Sequence, residues 1–350
     1  MKDLVDEIHY CKFDEIKSQT FPLNKLFGLV VTMDNVDYEF LLNLKSTEKI
    51  LIIGSGARNP NTSIEDKKRP LFHRWSWKFM QSVIFYNDPT IYLSPELLGG
   101  WGLGTCDNWY LKNISLILDE ILDTISVENK NVIFYGSSLG GFNSIMLSTL
   151  MKDTISIAEI PQFDITKWGY HWNELKKHCF NDMPEEEIKE KYGYKIDVIE
   201  LIKQEQYIPN AHLILDCSSV YDFQNIYLPF FSRLNELPFS EEKNRIRVRI
   251  DGKNTGHSIL KYEEVINLID NVISINENSY NENRDKKIED LENSLKSKEN
   301  EIENLKTSLN KKNTIIEEKS EAITDLQRFK NEVLNSNSWK YTGFLRKLRK

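Results

Sequence analysis

Short apolar runs alternate with longer segments of helical period from Gly28 to Asn276. Lys49–Ile53, Ser82–Tyr86, Val132–Tyr135 and His212–Cys217 are short, mostly apolar runs, as buried parallel strands require, and Ile155–Ile160 reads as a further strand. Gly28–Thr32, Tyr38–Leu44 and the alternating Ile246–Ile250 add further strands. Helices are predicted over Trp109–Ile125, Phe142–Met151, 223–236 and Ile259–Ile275. Residues 1–26 read as a helix and a connector. Residues 162–208 form an insertion with helical charge patterning, which suggests a cap. The alternation predicts an α/β fold, with a doubly wound, mostly parallel sheet carrying that cap.

The pattern changes at Asn276. Residues 277–287 are a polar, Asn-rich linker. Residues 288–333 carry a heptad repeat. Its a positions are Ile288, Leu295, Ile302, Leu309, Ile316 and Ile323, and its d positions include Leu291, Leu305, Leu326 and Val333. Such a seam predicts a coiled coil, through self-association or a partner helix. Lys298, Lys312 and Lys319 at d weaken it. Residues 334–350 interleave Trp339, Tyr341, Phe344, Leu345 and Leu348 with basic residues and contain no acid. That composition suits docking at an anionic membrane surface.

The candidate chemistry lies at strand ends. Gly136-Ser137-Ser138-Leu139-Gly140 sits between an apolar run and a helix-like stretch, the context of a nucleophile elbow. Ser138 is the candidate nucleophile. Enzymes of this kind read Ser, then Asp or Glu, then His along the chain. His257, in a Gly-flanked loop after Ile246–Ile250, is the candidate base, because the other histidines precede the serine, begin a strand or lie in the cap. Asp222 is favoured as the acid because it lies beyond the end of the preceding strand. Asp216 is the alternative, with a turn-capping carboxylate as its other reading. Oxyanion donors are expected from the Leu139 N–H and from the loop after Lys49–Ile53, at Ser55 and Gly56.

Charge narrows the classes. The 350 residues carry a net charge of −8, which argues against a general nucleic-acid binder. The N-terminus is charged throughout, with no apolar leader, and no run is long enough to span a membrane. Cys11, Cys106, Cys179 and Cys217 are far apart and lack metal-ligand spacing, so no metal is expected and the thiols read as reduced. The expected location is cytoplasmic, or peripheral at the inner face of the membrane.

The elbow, the glycine loop and the triad order resemble the α/β-hydrolase superfamily over residues 27–276. Several segments are similar to capsule and surface-polysaccharide biosynthesis proteins of the XcbB/CpsF type. These are Ile53–Ala57, Arg69–Trp77, Asp88-Pro89-Thr90, Gly100–Gly104 and Tyr135–Phe142. The accessory secretion component that O-acetylates serine-rich adhesins is a related comparison. Ser336–Thr342 resembles a Ser-x-Ser-Trp ending found on surface-glycan glycosyltransferases.

The resemblance implies an O-acyl esterase or O-acetyltransferase acting on a glycan or a small acyl ester. Hydrolysis needs no cofactor; a transferase would draw on acetyl-CoA. In that context Trp75 and Trp101 are candidates for stacking on sugar rings, and Arg58 and Arg74 for binding an anionic group, with core packing and structural ion pairs as their other readings. The alternative function is a non-catalytic scaffold of a membrane-surface glycan assembly complex.

Overall fold

A computed structural model describes residues 1–239, 245–252, 259–343 and 346, with backbone alone over 278–284. The chain divides into two units, Met1–Val272 and Ile273–Lys350.

The first unit is built on a nine-stranded sheet ordered β1-β2-β3-β5-β4-β6-β7-β8-β9. The strands are β1 (Ile8–Lys12), β2 (Leu26–Met33), β3 (Val36–Asn43), β4 (Ile50–Gly54), β5 (Ser82–Tyr86), β6 (Val132–Ser137), β7 (Ile155–Glu159), β8 (Asn210–Asp216) and β9 (Ile246–Asp251). β3 runs antiparallel to β2 and β5, and the other pairings are parallel. Between strands lie helices α1 (Ile64–Lys67), α2 (Tyr110–Thr124), α3 (Leu139–Leu150), α4 (Gly169–Cys179), α5 (Glu185–Ile196), α6 (Val198–Glu205), α7 (Val220–Asp222) and α8 (Leu228–Glu236). This is the expected mostly parallel sheet with helices between its strands.

The apolar runs explain the central strands. Every residue of β4, β5 and β7 is buried, as a sheet covered on both faces demands. α2 buries Ile114, Ile117, Leu118 and Ile121, a stripe at helical spacing. α3 is buried from Leu139 to Thr149. Its burial fixes where β6 ends and the helix begins, and hence where Ser138 stands.

Two expectations are corrected. Residues 8–12 form a strand rather than a helix, pairing Ile8 with Gly28 through Lys12 with Thr32. A five-residue edge strand is too short to show a period, and its stability comes from the free edge of β2. Only after it does a short 3-10 helix, Phe13–Ser18, bury Ile16. In the stretch read as a cap, α6 packs on α3 and α8. It thus serves as a crossover helix beside the sheet, while α4 and α5 meet the loop around Trp101–Trp109.

In the second unit the backbone is helical. Helix α9 (Tyr262–Asn335) is 74 residues long and starts before the unit boundary at Val272, and α10 (Asn337–Tyr341) follows with Ser336 as its N-cap. Residues 277–287, expected as a polar linker, are helical in backbone. They are Asn-rich but hold no Gly or Pro to break the helix. The heptad residues Ile302, Leu309 and Ile316 are 51–63% exposed. Beyond α10 the Arg346 guanidinium lies over the Trp339 ring, at 3.6 Å. Phe344, Leu345 and 347–350 of the basic tail lie outside the described residues. Among the described residues no helix is long and apolar enough to cross a membrane.

Candidate active site

β6 runs straight into α3, and Ser138 makes the turn with φ 54° and ψ −116°. A residue bearing a Cβ rarely adopts this conformation. Backbone hydrogen bonds hold it there. The Ser138 N–H donates to the Glu159 carbonyl at 2.9 Å, and the Ser138 carbonyl accepts from the N–H groups of Phe142 (3.0 Å) and Gln162 (3.4 Å). Gly136 permits the turn: a Cβ there would stand 2.2 Å from the backbone of Gly140. The carbonyls of Gly54, the last residue of β4, and of Ser55, the first beyond it, approach Gly140. The glycine loop and the elbow are thus neighbours, as an acyl-transfer site requires.

Leu139 opens α3, so its N–H has no partner within the helix. Among the described residues no other hydrogen bond takes it up. The positive end of the α3 dipole is directed at the same place. Ser55 is buried. The Gly56 N–H is already committed, donating to His73 Nδ1 at 2.9 Å. It can serve an oxyanion only by giving up that bond. Burial, reinforced by Arg74 and Arg58, pushes the His73 pKa down to about 4. A neutral ring that accepts on Nδ1 carries its proton on Nε2.

The remaining candidates divide. Arg74 comes to the site: its Nη2 is 3.1 Å from Ser137 Oγ and 4.0 Å from Glu159 Oε2. Its guanidinium packs against the rings of Trp77 and Tyr135. Arg58 does not. It is buried and its guanidinium donates to the backbone carbonyls of Asp66 (2.8 Å) and Arg69 (2.5 Å), contacts that are structural without being the ion pair expected. Trp101 is only 1% exposed and offers no face to a sugar. Trp75 is 37% exposed and keeps that possibility in its geometry.

Asp216 Oδ1 accepts from the N–H (2.8 Å) and Oγ (2.6 Å) of Ser218, which is the turn-capping role. Asp222 is buried in α7, beyond the end of β8. His257 lies outside the described residues. Among the described residues no cluster of His, Cys, Asp or Glu could hold a metal, and the four cysteines form no disulfide.

Two buried residues of the site escaped the sequence reading. Glu159, 1% exposed at the end of β7, accepts from the Tyr135 hydroxyl at 2.9 Å and from the Leu260 N–H. It thereby ties down the chain three residues beyond His257. Gln162 donates from Nε2 to Ser138 Oγ at 3.3 Å. Neither belongs to a motif; each is placed by the sheet.

Comparison with protein-family models and with curated proteins returns no match. The likeness to XcbB/CpsF-type proteins therefore rests on the segments quoted above. Solved structures do resemble the chain. A capsule O-acetyltransferase of Neisseria meningitidis serogroup A, in a mutant form in complex with CoA, is 15% identical with a TM-score of 0.49. That likeness covers 69% of this chain and 93% of that one. The fluorophosphonate-binding serine hydrolase FphF of Staphylococcus aureus is 12% identical (TM-score 0.46), over 73% of this chain and 99% of that one. The glycosylation-associated Gap123 complex of Streptococcus agalactiae is 16% identical (TM-score 0.46), over 64% of this chain and 42% of that one. At such scores and identities, the likeness says nothing of the reaction.

Proposed function

We propose that the chain is a serine-nucleophile acyl-transfer enzyme. One observation carries the reading: Ser138 is held at positive φ between β6 and α3, against the preference of its own backbone. Strain of this kind persists where it positions a reacting group. In the proposed reaction Ser138 Oγ attacks an ester or thioester carbonyl. His257 takes the serine proton and returns it to the leaving group, and Asp222 orients His257. The Leu139 N–H and the loop after β4 receive the charge that develops on the carbonyl oxygen.

The acceptor names the reaction. Water makes the chain an O-acyl esterase. A sugar hydroxyl makes it an O-acetyltransferase using acetyl-CoA. The glycan reading is supported by the segments that resemble surface-polysaccharide proteins, and by exposed Trp75 near Arg74. Helix α9 is proposed to pair with a second copy through its heptad seam, and the basic tail to rest on an anionic membrane surface.

The test is turnover. The purified chain should hydrolyse p-nitrophenyl acetate, with loss of activity in Ser138→Ala and His257→Ala. Asp222→Asn should cost far more than Asp216→Asn. Thiol release from acetyl-CoA that depends on added oligosaccharide would assign the transferase. Equal turnover by wild type and Ser138→Ala would refute the proposal.

A further inference from the structure

The side-chain amide of Gln162 is oriented by its neighbours. Its Oε1 accepts the indole N–H of Trp101 at 2.5 Å, and its Nε2 lies 3.3 Å from Ser138 Oγ. An indole nitrogen can only donate. The Trp101 contact therefore fixes which end of the amide is oxygen and turns the NH2 end toward the serine. Both side chains are buried, at 4% and 1% exposed.

Trp101 is itself held in place. Trp101 and Gly102 both adopt positive φ, 50° and 66°. The Gly102 N–H donates to Asp88 Oδ2 at 2.7 Å, and the Gly104 N–H to Thr90 Oγ1 at 3.0 Å. Asp88 also accepts from the Thr90 N–H at 2.9 Å. A continuous set of contacts thus runs from Asp88 through the Gly100–Gly104 turn and Trp101 to the amide of Gln162. The Gln162 N–H is tied to the Ser138 carbonyl as well.

We propose that Gln162 is a catalytic residue, a side-chain oxyanion donor that acts with the Leu139 N–H. The inference rests on the serine-nucleophile reading. When Ser138 Oγ bonds to the acyl carbon, the carbonyl π pair moves onto oxygen and the serine proton passes to the site's base. On collapse the pair returns, the bond to the leaving group breaks, and the proton follows that group. Oγ and the oxyanion share one tetrahedral carbon, so a donor already touching Oγ needs only a small displacement to reach the oxyanion. A preorganised donor in a buried site contributes most where charge develops. If Gln162 only filled space against Trp101, its replacement would lower stability and leave kcat alone.

Gln162→Glu keeps the shape and an acceptor for Trp101 while removing the N–H. Gln162→Met removes both polar ends at similar volume. With p-nitrophenyl acetate, both variants should lower kcat by ~10²–10³-fold, the usual cost of one lost oxyanion donor, with KM nearly unchanged. Binding of phenylboronic acid, which forms a tetrahedral adduct with the serine, should weaken in parallel. Trp101→Phe leaves Gln162 in place but frees its amide to rotate. It should lower kcat by a smaller factor, and it carries the test should Gln162→Met not fold.

Wild type is labelled with a fluorophosphonate alongside. No label at Ser138 would remove the nucleophile, and this proposal with it. A labelled wild type, together with folded Gln162 variants of full kcat and unchanged boronate affinity, would overturn the role of Gln162 alone.

Discussion

Replacing Ser138 by glycine should make the protein more stable while abolishing its chemistry. A non-glycine residue in a sparsely populated φ/ψ region costs on the order of 1–3 kcal/mol. Ser138, at φ 54° and ψ −116°, stands in such a region. Glycine removes that cost but gives the unfolded chain more freedom, which takes back about 0.4–1 kcal/mol. The net gain is on the order of 1 kcal/mol. For a unit of this size it would raise the midpoint of thermal unfolding by roughly 2–4 °C.

Ser138→Ala is the control, because it keeps the Cβ and loses only the hydroxyl. The assay is thermal and urea unfolding of the three proteins, read by circular dichroism. The expected order of stability places Ser138→Gly above Ser138→Ala. Strain carried by the elbow would be refuted if glycine were the less stable of the two. The glycine variant would then be reporting lost backbone restraint with nothing relieved.

Other predictions concern pH, the long helix and the tail. Burial pushes the pKa of His212 in β8 down to about 4 from 6.5, and that of His73 likewise. The unfolded chain therefore takes up protons that the folded chain refuses as pH falls through this window, so each histidine contributes stability that is lost between pH 6.5 and 4. For His212, 6% exposed, the loss is at most about 3 kcal/mol. Buried Asp88 and half-buried Glu39, whose pKa values desolvation raises, act in the opposite direction. The comparison to make is thus between wild type and His212→Gln in urea midpoints at about pH 7 and about pH 4.5, where the variant should lose less; equal losses would contradict the reasoning. Ile302→Asp with Leu309→Asp should turn a dimer into a monomer by sedimentation equilibrium, and a wild-type monomer would end the idea of a paired helix. Vesicles rich in anionic lipid should float the full chain at low salt but not a chain lacking residues 334–350, and equal flotation of the two would exclude the tail as the docking element.

The sheet was legible because most of its central strands, β4, β5 and β6 above all, are short and mostly apolar runs. The elbow was legible because Gly136 answers to a backbone need: nothing with a Cβ fits 2.2 Å from Gly140. β1 was not, since five residues at a sheet edge carry no period. The helicity of 277–287 was hidden by its Asn content, although nothing in it breaks a helix. For Arg58 and Trp101 the sequence offers a guanidinium and an indole ring without their partners or their burial, so substrate contact and structural packing stand open together. The carbonyls of Asp66 and Arg69 take the guanidinium, and Gln162, 61 residues along the chain, takes the indole N–H. Glu159 and Gln162 went unnoticed for the same reason, since only the folded sheet brings them against Ser138.

The most direct measurement of the central claim is labelling of the full chain with a fluorophosphonate, followed by peptide mass spectrometry. The account predicts a single modified residue, Ser138, lost in Ser138→Ala and strongly reduced in His257→Ala. A well-folded chain that takes no label, or takes it elsewhere, would contradict it and leave the sheet as the body of a binding module or scaffold.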